Sequence, residues 1–360
     1  MPEISENLAQ WSELFMYLAA VTYMVAFISF AWDIASNSRT TLRLEETQVR
    51  ERELVGAGAL SGSAKSARIS GIEQGTGERG MSYKRSAAKK IEAHVADADM
   101  RYTGARRPAA RAAVVILGLG AAIHCAGVLS RALAANRVPW GNMYEFCTTG
   151  AFLVVLVYLI ALTFRDLRFV GVLVSGLALT MMTAATIGFP TPVGQLKPAL
   201  QSYWLVIHVS IAVLASAIFT ITFAMAILQL VQTSRERQII ADQSTQLTRL
   251  GFMRLIPSST ALENFAFRLN AVGFVMWTFT LAAGAIWAEK AWGRYWGWDT
   301  KEVWTFIIWV VYAAYLHARA TRGWSGPPSA WLSIVGYLCI IFNFTVVNVY
   351  FSGLHSYSGL

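Results

Sequence analysis

Residues 270–319 read NAVGFVMWTFTLAAGAIWAEKAWGRYWGWDTKEVWTFIIWVVYAAYLHAR. Two apolar runs, 270–288 and 302–319, flank a segment running from Trp287 to Trp304. Each run approaches the roughly 20 residues that a helix needs to cross a bilayer. The pair therefore predicts two membrane helices joined by a short connection. That connection carries Trp287, Trp292, Trp296, Trp298 and Trp304, together with Arg294, Asp299 and Lys301. Indole is costly to bury with its N–H unpaired, so tryptophan favours the membrane–water boundary, where about one or two per helix end suffice. Five predict a flat aromatic platform with charged tips, a surface suited to a large planar ligand with anionic edges. Snorkelling, or ion pairing to Glu289, Asp299 and Glu302, is the competing use of the charged residues.

The same apolar pattern recurs along the chain. Only 14% of its 360 residues are charged and 55% are hydrophobic, against about 25% charged in a soluble domain. Spans are expected near 12–33, 111–133, 147–164, 169–189, 203–231, 270–288, 302–319 and 331–351. The fold class is an all-α polytopic membrane protein with about eight transmembrane helices. The first ten residues hold Glu3 and Glu6 and no basic residue, unlike a cleavable signal, so the first span is expected to be retained. A net charge of +9 raises nucleic acid as a partner, but its distribution argues for membrane lipid instead. Connections on one side of the membrane hold 24 of the 30 basic residues. The other side holds Arg131, Arg137, Lys197, Lys290, Arg294 and Lys301. The positive-inside rule then puts both termini, and the Trp-rich segment, outside the cytoplasm. Three of the six outer basic residues lie within that segment, as expected if they neutralise something anionic.

Three parts follow: an N-terminal helix over 1–33, a basic cytoplasmic linker over 34–110 expected to be largely disordered, and a compact seven-helix domain over 111–360. The linker is Gly/Ser/Ala-rich at 56–64, with a helix expected near 84–98. It should detach the first span from the rest. A short amphipathic helix is expected over 257–270, capped by Ser258 or Ser259. Cys125, Cys147 and Cys339 form no C-x-x-C and read as small apolar packing residues.

Histidines supply the chemistry. Ionisable residues inside spans are costly and call for a functional reading. His208 lies about one turn into the fifth span, and His355 just beyond the eighth, both on the predicted outer side. Two imidazoles from different helices suit the opposite faces of a porphyrin iron, with Lys301 and Arg294 near its propionates. His317 lies thirteen residues after Trp304, about 20 Å along the helix, and marks a second, inner site. The other ligand of that site is either His124 or a residue of a partner subunit. An interhelical hydrogen bond is the plain alternative for His124 and for His317. A respiratory cytochrome b is disfavoured, because no span carries two histidines.

Trp292-Gly-x-x-Trp296-x-Trp298-Asp299-x-Lys301-Glu302-x-Trp304 resembles the tryptophan-rich haem-handling signature of c-type cytochrome biogenesis proteins. Lys197-Pro-Ala-Leu-Gln-Ser-Tyr-Trp-Leu-Val-Ile-His208, Val138-Pro-Trp-Gly-Asn-Met-Tyr-Glu145 and Asn348-x-x-Phe-x-Gly353-Leu-His355-Ser-Tyr357 narrow it to the CcsA/ResC type of the system II cytochrome c synthase. The resemblance covers about 111–358. It implies that haem b passes a transmembrane histidine, matched by His317, to an outer site held by His208 and His355. The Trp-rich segment, with Trp287, Trp292, Trp296, Trp298, Asp299 and Trp304, would present the ring to the C-x-x-C-H thiols of apocytochrome c. It also implies a companion ResB/CcsB-type membrane subunit, which would supply the second inner histidine, and thiol-disulfide reductases as further partners. No nucleophile is required of this chain. A bacterial plasma membrane is the expected location, ahead of a thylakoid. A non-enzymatic haem chaperone of system I, or a transporter of another planar anionic solute, are the alternatives.

Overall fold

A computed structural model describes residues 4–62, 97, 99–102, 107–196, 200–242, 251–321, 323–351 and 353–355. Among these residues the regular structure is helical throughout. Eight helices are long and apolar enough to cross a membrane, as the hydropathy pattern predicts. They are built on α1 (Glu6–Gly62), α2 (Pro108–Ala135), α3 (Met143–Phe164), α4 (Gly171–Thr183), α5 (Tyr203–Asp242), α6 (Ser259–Trp292), α7 (Thr300–Thr321) and α8 (Pro327–Phe344), the fourth and eighth spans including the turns that adjoin α4 and α8. A single 3₁₀ turn leads into α4 and a π turn follows it, and α9 (Val346–Tyr350) extends α8.

Three expectations need correction. The linker over 34–110 begins not as disordered chain but as a continuation of α1, which runs to Gly62. No proline interrupts residues 34–62, and their Arg, Leu and Glu content favours helix. The helix expected near 84–98 lies outside the described residues, apart from Asp97. Second, the first span is not detached. α1 packs along α2 and across α4, and small residues permit the approach. A Cβ on Gly120 would stand 2.8 Å from the Tyr23 ring, and one on Gly171 would stand 2.6 Å from Phe30. Arg107 pairs with buried Asp33, which also accepts from Ala110 N at 3.1 Å, so α1 caps the start of α2. Third, the amphipathic stretch 257–270 is no separate element but the first turns of α6. Ser258 does cap it, accepting from Ala261 N at 3.3 Å. Buried Leu262, Ala266, Asn270, Gly273, Trp277 and Thr280 then continue one stripe at helical spacing. Nothing stops the helix at residue 270.

The core has two halves that share α5. In one, α5 meets α3 and α4, and through them the cluster they share with α1 and α2, using residues such as Ala217, Ile221 and Met225. In the other it meets α6–α8, where Phe219 stacks on Tyr312 at 3.8 Å. The most apolar stretch of α5 is 67% buried, against 17% for α7. The central helix therefore anchors the site, whereas α7 shows much of its surface to the outside of the bundle.

One end of the bundle is fastened by a buried ion cluster. Glu145, in the first turn of α3, accepts from Arg131 Nε at 3.0 Å and from Arg137 at 2.7 and 2.8 Å. Gly141 N adds a bond of 2.7 Å. The guanidiniums also donate to Thr191, Pro192 and Gly194 carbonyls. Two of the basic residues expected on the outer side are thus consumed in tying the connection 136–142 to the connection after α4.

Candidate functional site

At that same end, a cavity of about 480 Å³ opens between α3, α4, α5, α6 and α8. His208 and His355 both line it, as do Trp287, Trp296 and Lys301. These groups approach from four different helix ends.

His208 projects from the second turn of α5. Its Nδ1 lies 3.0 Å from the Thr280 carbonyl oxygen of α6. A carbonyl only accepts, so Nδ1 carries the proton and Nε2 keeps its lone pair. Gly284 makes the contact possible, because a Cβ there would stand 2.8 Å from His208 Cε1. His355 follows the end of α9. Its Nδ1 lies 2.8 Å from Asp299 Oδ2. Nε2 of neither ring has a protein hydrogen bond among the described residues.

Asp299 closes the Trp-rich segment at the N-cap of α7. Its carbonyl accepts from Val303 N and its Oδ2 from Lys301 N at 3.3 Å. Glu302 bonds back to Asp299 N at 3.0 Å, completing a capping box. The same Glu302 oxygen takes Gly297 N at 2.8 Å. These two amides flank Trp298, which is held at φ 59°, a left-handed conformation unusual for so bulky a residue. Asp299 has its pKa lowered, first by the hydrogen bond from His355 and further by the Leu354 and Lys301 amides, against a burial cost.

The tryptophans do not form a flat platform. Trp287 touches both histidines, stacked at 5.9 Å and 13° on His208 and edge-on at 5.4 Å to His355. Trp292 is edge-on to both Trp287 and His355, at 4.7 Å each. Trp296 stands at 90° to Trp298, which is 76% exposed. Trp304 is already in the second turn of α7, packed on Phe342 at 4.3 Å. The physical reason is that Trp287 and Trp292 end one helix, Trp304 belongs to the next, and only the residues between them lie in the loop.

The basic residues also divide. Lys301 points into the cavity wall, donating to the Asn343 carbonyl at 3.0 Å and to the Asn348 side chain. Both of these hydrogen-bond partners are neutral. Arg294 is exposed and lies over Gly297, away from the cavity lining. Lys290 pairs with Glu289 at 2.9 Å. Lys197 lies outside the described residues.

Neither of the other two histidines among the described residues reaches this cavity. His124 is fully buried, with Tyr23 Oη 3.1 Å from its Nδ1 and Phe152 edge-on at 5.7 Å. This is an interhelical contact on the α1–α3 side. His317 is exposed near the far end of α7. Sequence reasoning missed Thr280, Gly284 and Asn343. Asn343 carried a signal, since an amide inside an apolar span calls for a functional reading. Thr280 contributes only its backbone and Gly284 only its lack of a side chain, so neither had one.

Residues 140–355 match the family model described as Cytochrome C assembly protein. A protein described as "Cytochrome c biogenesis protein CcsA" from Guillardia theta is 35% identical over 246 residues, covering 64% of this chain and 80% of that protein. Proteins of the same description from Microcystis aeruginosa and a Picosynechococcus species are 34% and 31% identical, each match covering 67% of this chain and 86% of the relative. The matched region contains His208, the Trp-rich segment, His317 and His355.

Proposed function

Because this multi-pass membrane protein belongs to the cytochrome c assembly protein family, in its CcsA type, and acts in cytochrome c biogenesis, we propose that it carries haem b to the extracytoplasmic face and holds it for attachment to apocytochrome c. The observation that carries this reading is the pair His208 and His355. Both rings have Nδ1 engaged and Nε2 open, and both line one cavity. That is the state of an imidazole ready to ligate iron. Lys301, with neutral partners only, suits a propionate. Arg294, Trp298 and Trp304 lie off the cavity. The first two remain candidates for contacting the ring edge or the apocytochrome, while Trp304 braces α7.

In this reading the reaction is addition of each C-x-x-C-H thiol across a haem vinyl group. A C–S bond forms, and the thiol proton ends on the other vinyl carbon. The chain supplies orientation rather than a nucleophile. It would act as a haem lyase subunit with a ResB/CcsB-type partner in a bacterial plasma membrane, with thiol-disulfide reductases keeping the substrate thiols reduced. The excess of basic residues in alternate connections supports both termini lying outside. Residues 111–360 form the haem-handling region, now with α1 packed against it. The exposed setting of His317 on α7 suits an inner haem shared with the partner.

The test is co-expression of this chain with a ResB-type partner and a c-type reporter, in cells lacking other maturation systems. Covalent haem in the reporter establishes the synthase. Purified complex with no Soret absorption, despite ample haem, would favour transport of another planar solute. His317→Ala is expected to lower the haem content of the whole complex, measured as Soret absorbance per protein, while leaving the His208–His355 cavity intact. Gly284→Val is expected to push the His208 ring off the Thr280 carbonyl and to reduce maturation roughly 10–100-fold, the usual effect of losing a group that orients a metal ligand. Reporter haem stain at the wild-type level would show that this contact is unimportant.

A further inference from the structure

We propose that Asp299 is a positioning residue, which makes His355 the firmly held and more strongly donating of the two iron ligands. The inference rests on the haem reading above. An N-cap needs one acceptor, and Asn or Ser serves there as well as Asp. Asp299 does more than cap. Its Oδ2 takes the Lys301 amide and also His355 Nδ1 at 2.8 Å, while its Oδ1 takes Leu354 N at 3.1 Å. Gly353 completes the fit, since a Cβ there would stand 2.2 Å from Oδ1. Residues 353–355 follow the last helix turn, which ends at Tyr350. The carboxylate therefore clamps otherwise irregular backbone onto the start of α7.

The consequence for His355 is chemical as well as spatial. A carboxylate on Nδ1–H orients the ring, fixes Nε2 as the binding atom and increases its basicity. His208 has only the neutral Thr280 carbonyl in that position. The two ligands are thus unequal, and His208 is the one that exogenous imidazole replaces more readily.

The test uses the full chain purified with its ResB-type partner and loaded with haem, following the spectral component that His208→Ala removes. Asp299→Asn retains a cap acceptor but no charge. It is expected to leave the complex folded, to weaken haem retention against competing imidazole roughly 10–100-fold, and to raise the reduction potential, because a less basic ligand stabilises ferric iron less. Asp299→Glu should recover part of both. If Asp299→Asn fails to accumulate, Gly353→Ala presses on the same carboxylate and should shift the potential in the same direction. Wild-type potential and retention in Asp299→Asn, or in Gly353→Ala where that variant replaces it, would overturn the inference while His355→Ala still loses haem. An unchanged spectrum in His355→Ala itself would overturn the outer-site reading and the inference together.

Discussion

Alanine in place of His208 or His355 is expected to abolish covalent haem attachment to a c-type reporter, a loss exceeding the roughly 100-fold seen when only an outer partner of a metal ligand is removed. Each substitution deletes one open Nε2 from the cavity and leaves the other ring in place. His208→Ala also vacates the surface on which Trp287 stacks, and His355→Ala vacates the surface against Trp292. The hole left in each case has the size of the lost imidazole. Added imidazole should therefore refill it and restore part of the activity, as a replacement axial ligand. Haem stain of the reporter, with and without imidazole, reads the effect. Wild-type maturation in the His208→Ala/His355→Ala double variant would refute the outer site outright. When His355 is lost, the Asp299 carboxylate keeps its bonds from the Leu354 and Lys301 amides, so thermal unfolding of the purified complex should move little.

Glu145→Ala is expected to have the opposite profile, destabilising the fold by about 3–5 kcal/mol, the usual cost of breaking a buried ion pair from one side. The carboxylate is fully buried and is shared by Arg131 and Arg137. Its removal leaves two guanidiniums with only carbonyls as hydrogen-bond partners and frees Gly141 N. Those carbonyls belong to Thr191, Pro192 and Gly194, so the connections over the cavity mouth should loosen as well. A lower unfolding midpoint in detergent and faster proteolysis within 136–142 and 189–196 are the measurements. Glu145→Gln keeps acceptor capacity at Oε1 and should cost less. An unchanged midpoint for Glu145→Ala would show that the arginines are satisfied without it.

Much of the candidate site is legible in the sequence. Apolar run length located eight spans, and counting them put His208, His355 and the Trp-rich segment at one end of the bundle. The fate of individual side chains was less accessible. Arg131 and Arg137 counted as outer positive charge, yet Glu145 neutralises them within the fold. Arg294 and Lys301 looked equivalent in the Trp-rich segment, but a helix start directs Lys301 inward and the loop leaves Arg294 exposed. Five tryptophans close in sequence suggested one surface, and helix ends distribute them over several.

The distinction has a physical basis. Membrane insertion responds to apolar length and to the sidedness of charge, both additive along the chain, so the helical fold and the level of each histidine are properties of the sequence alone. The partner of each imidazole is not. His208 meets a carbonyl 72 residues away and His355 a carboxylate 56 residues away, in register only because α5, α6 and α7 pack at particular depths. Tertiary packing alone set which nitrogen faces the cavity, which histidine is backed by charge, and that Trp287 touches both.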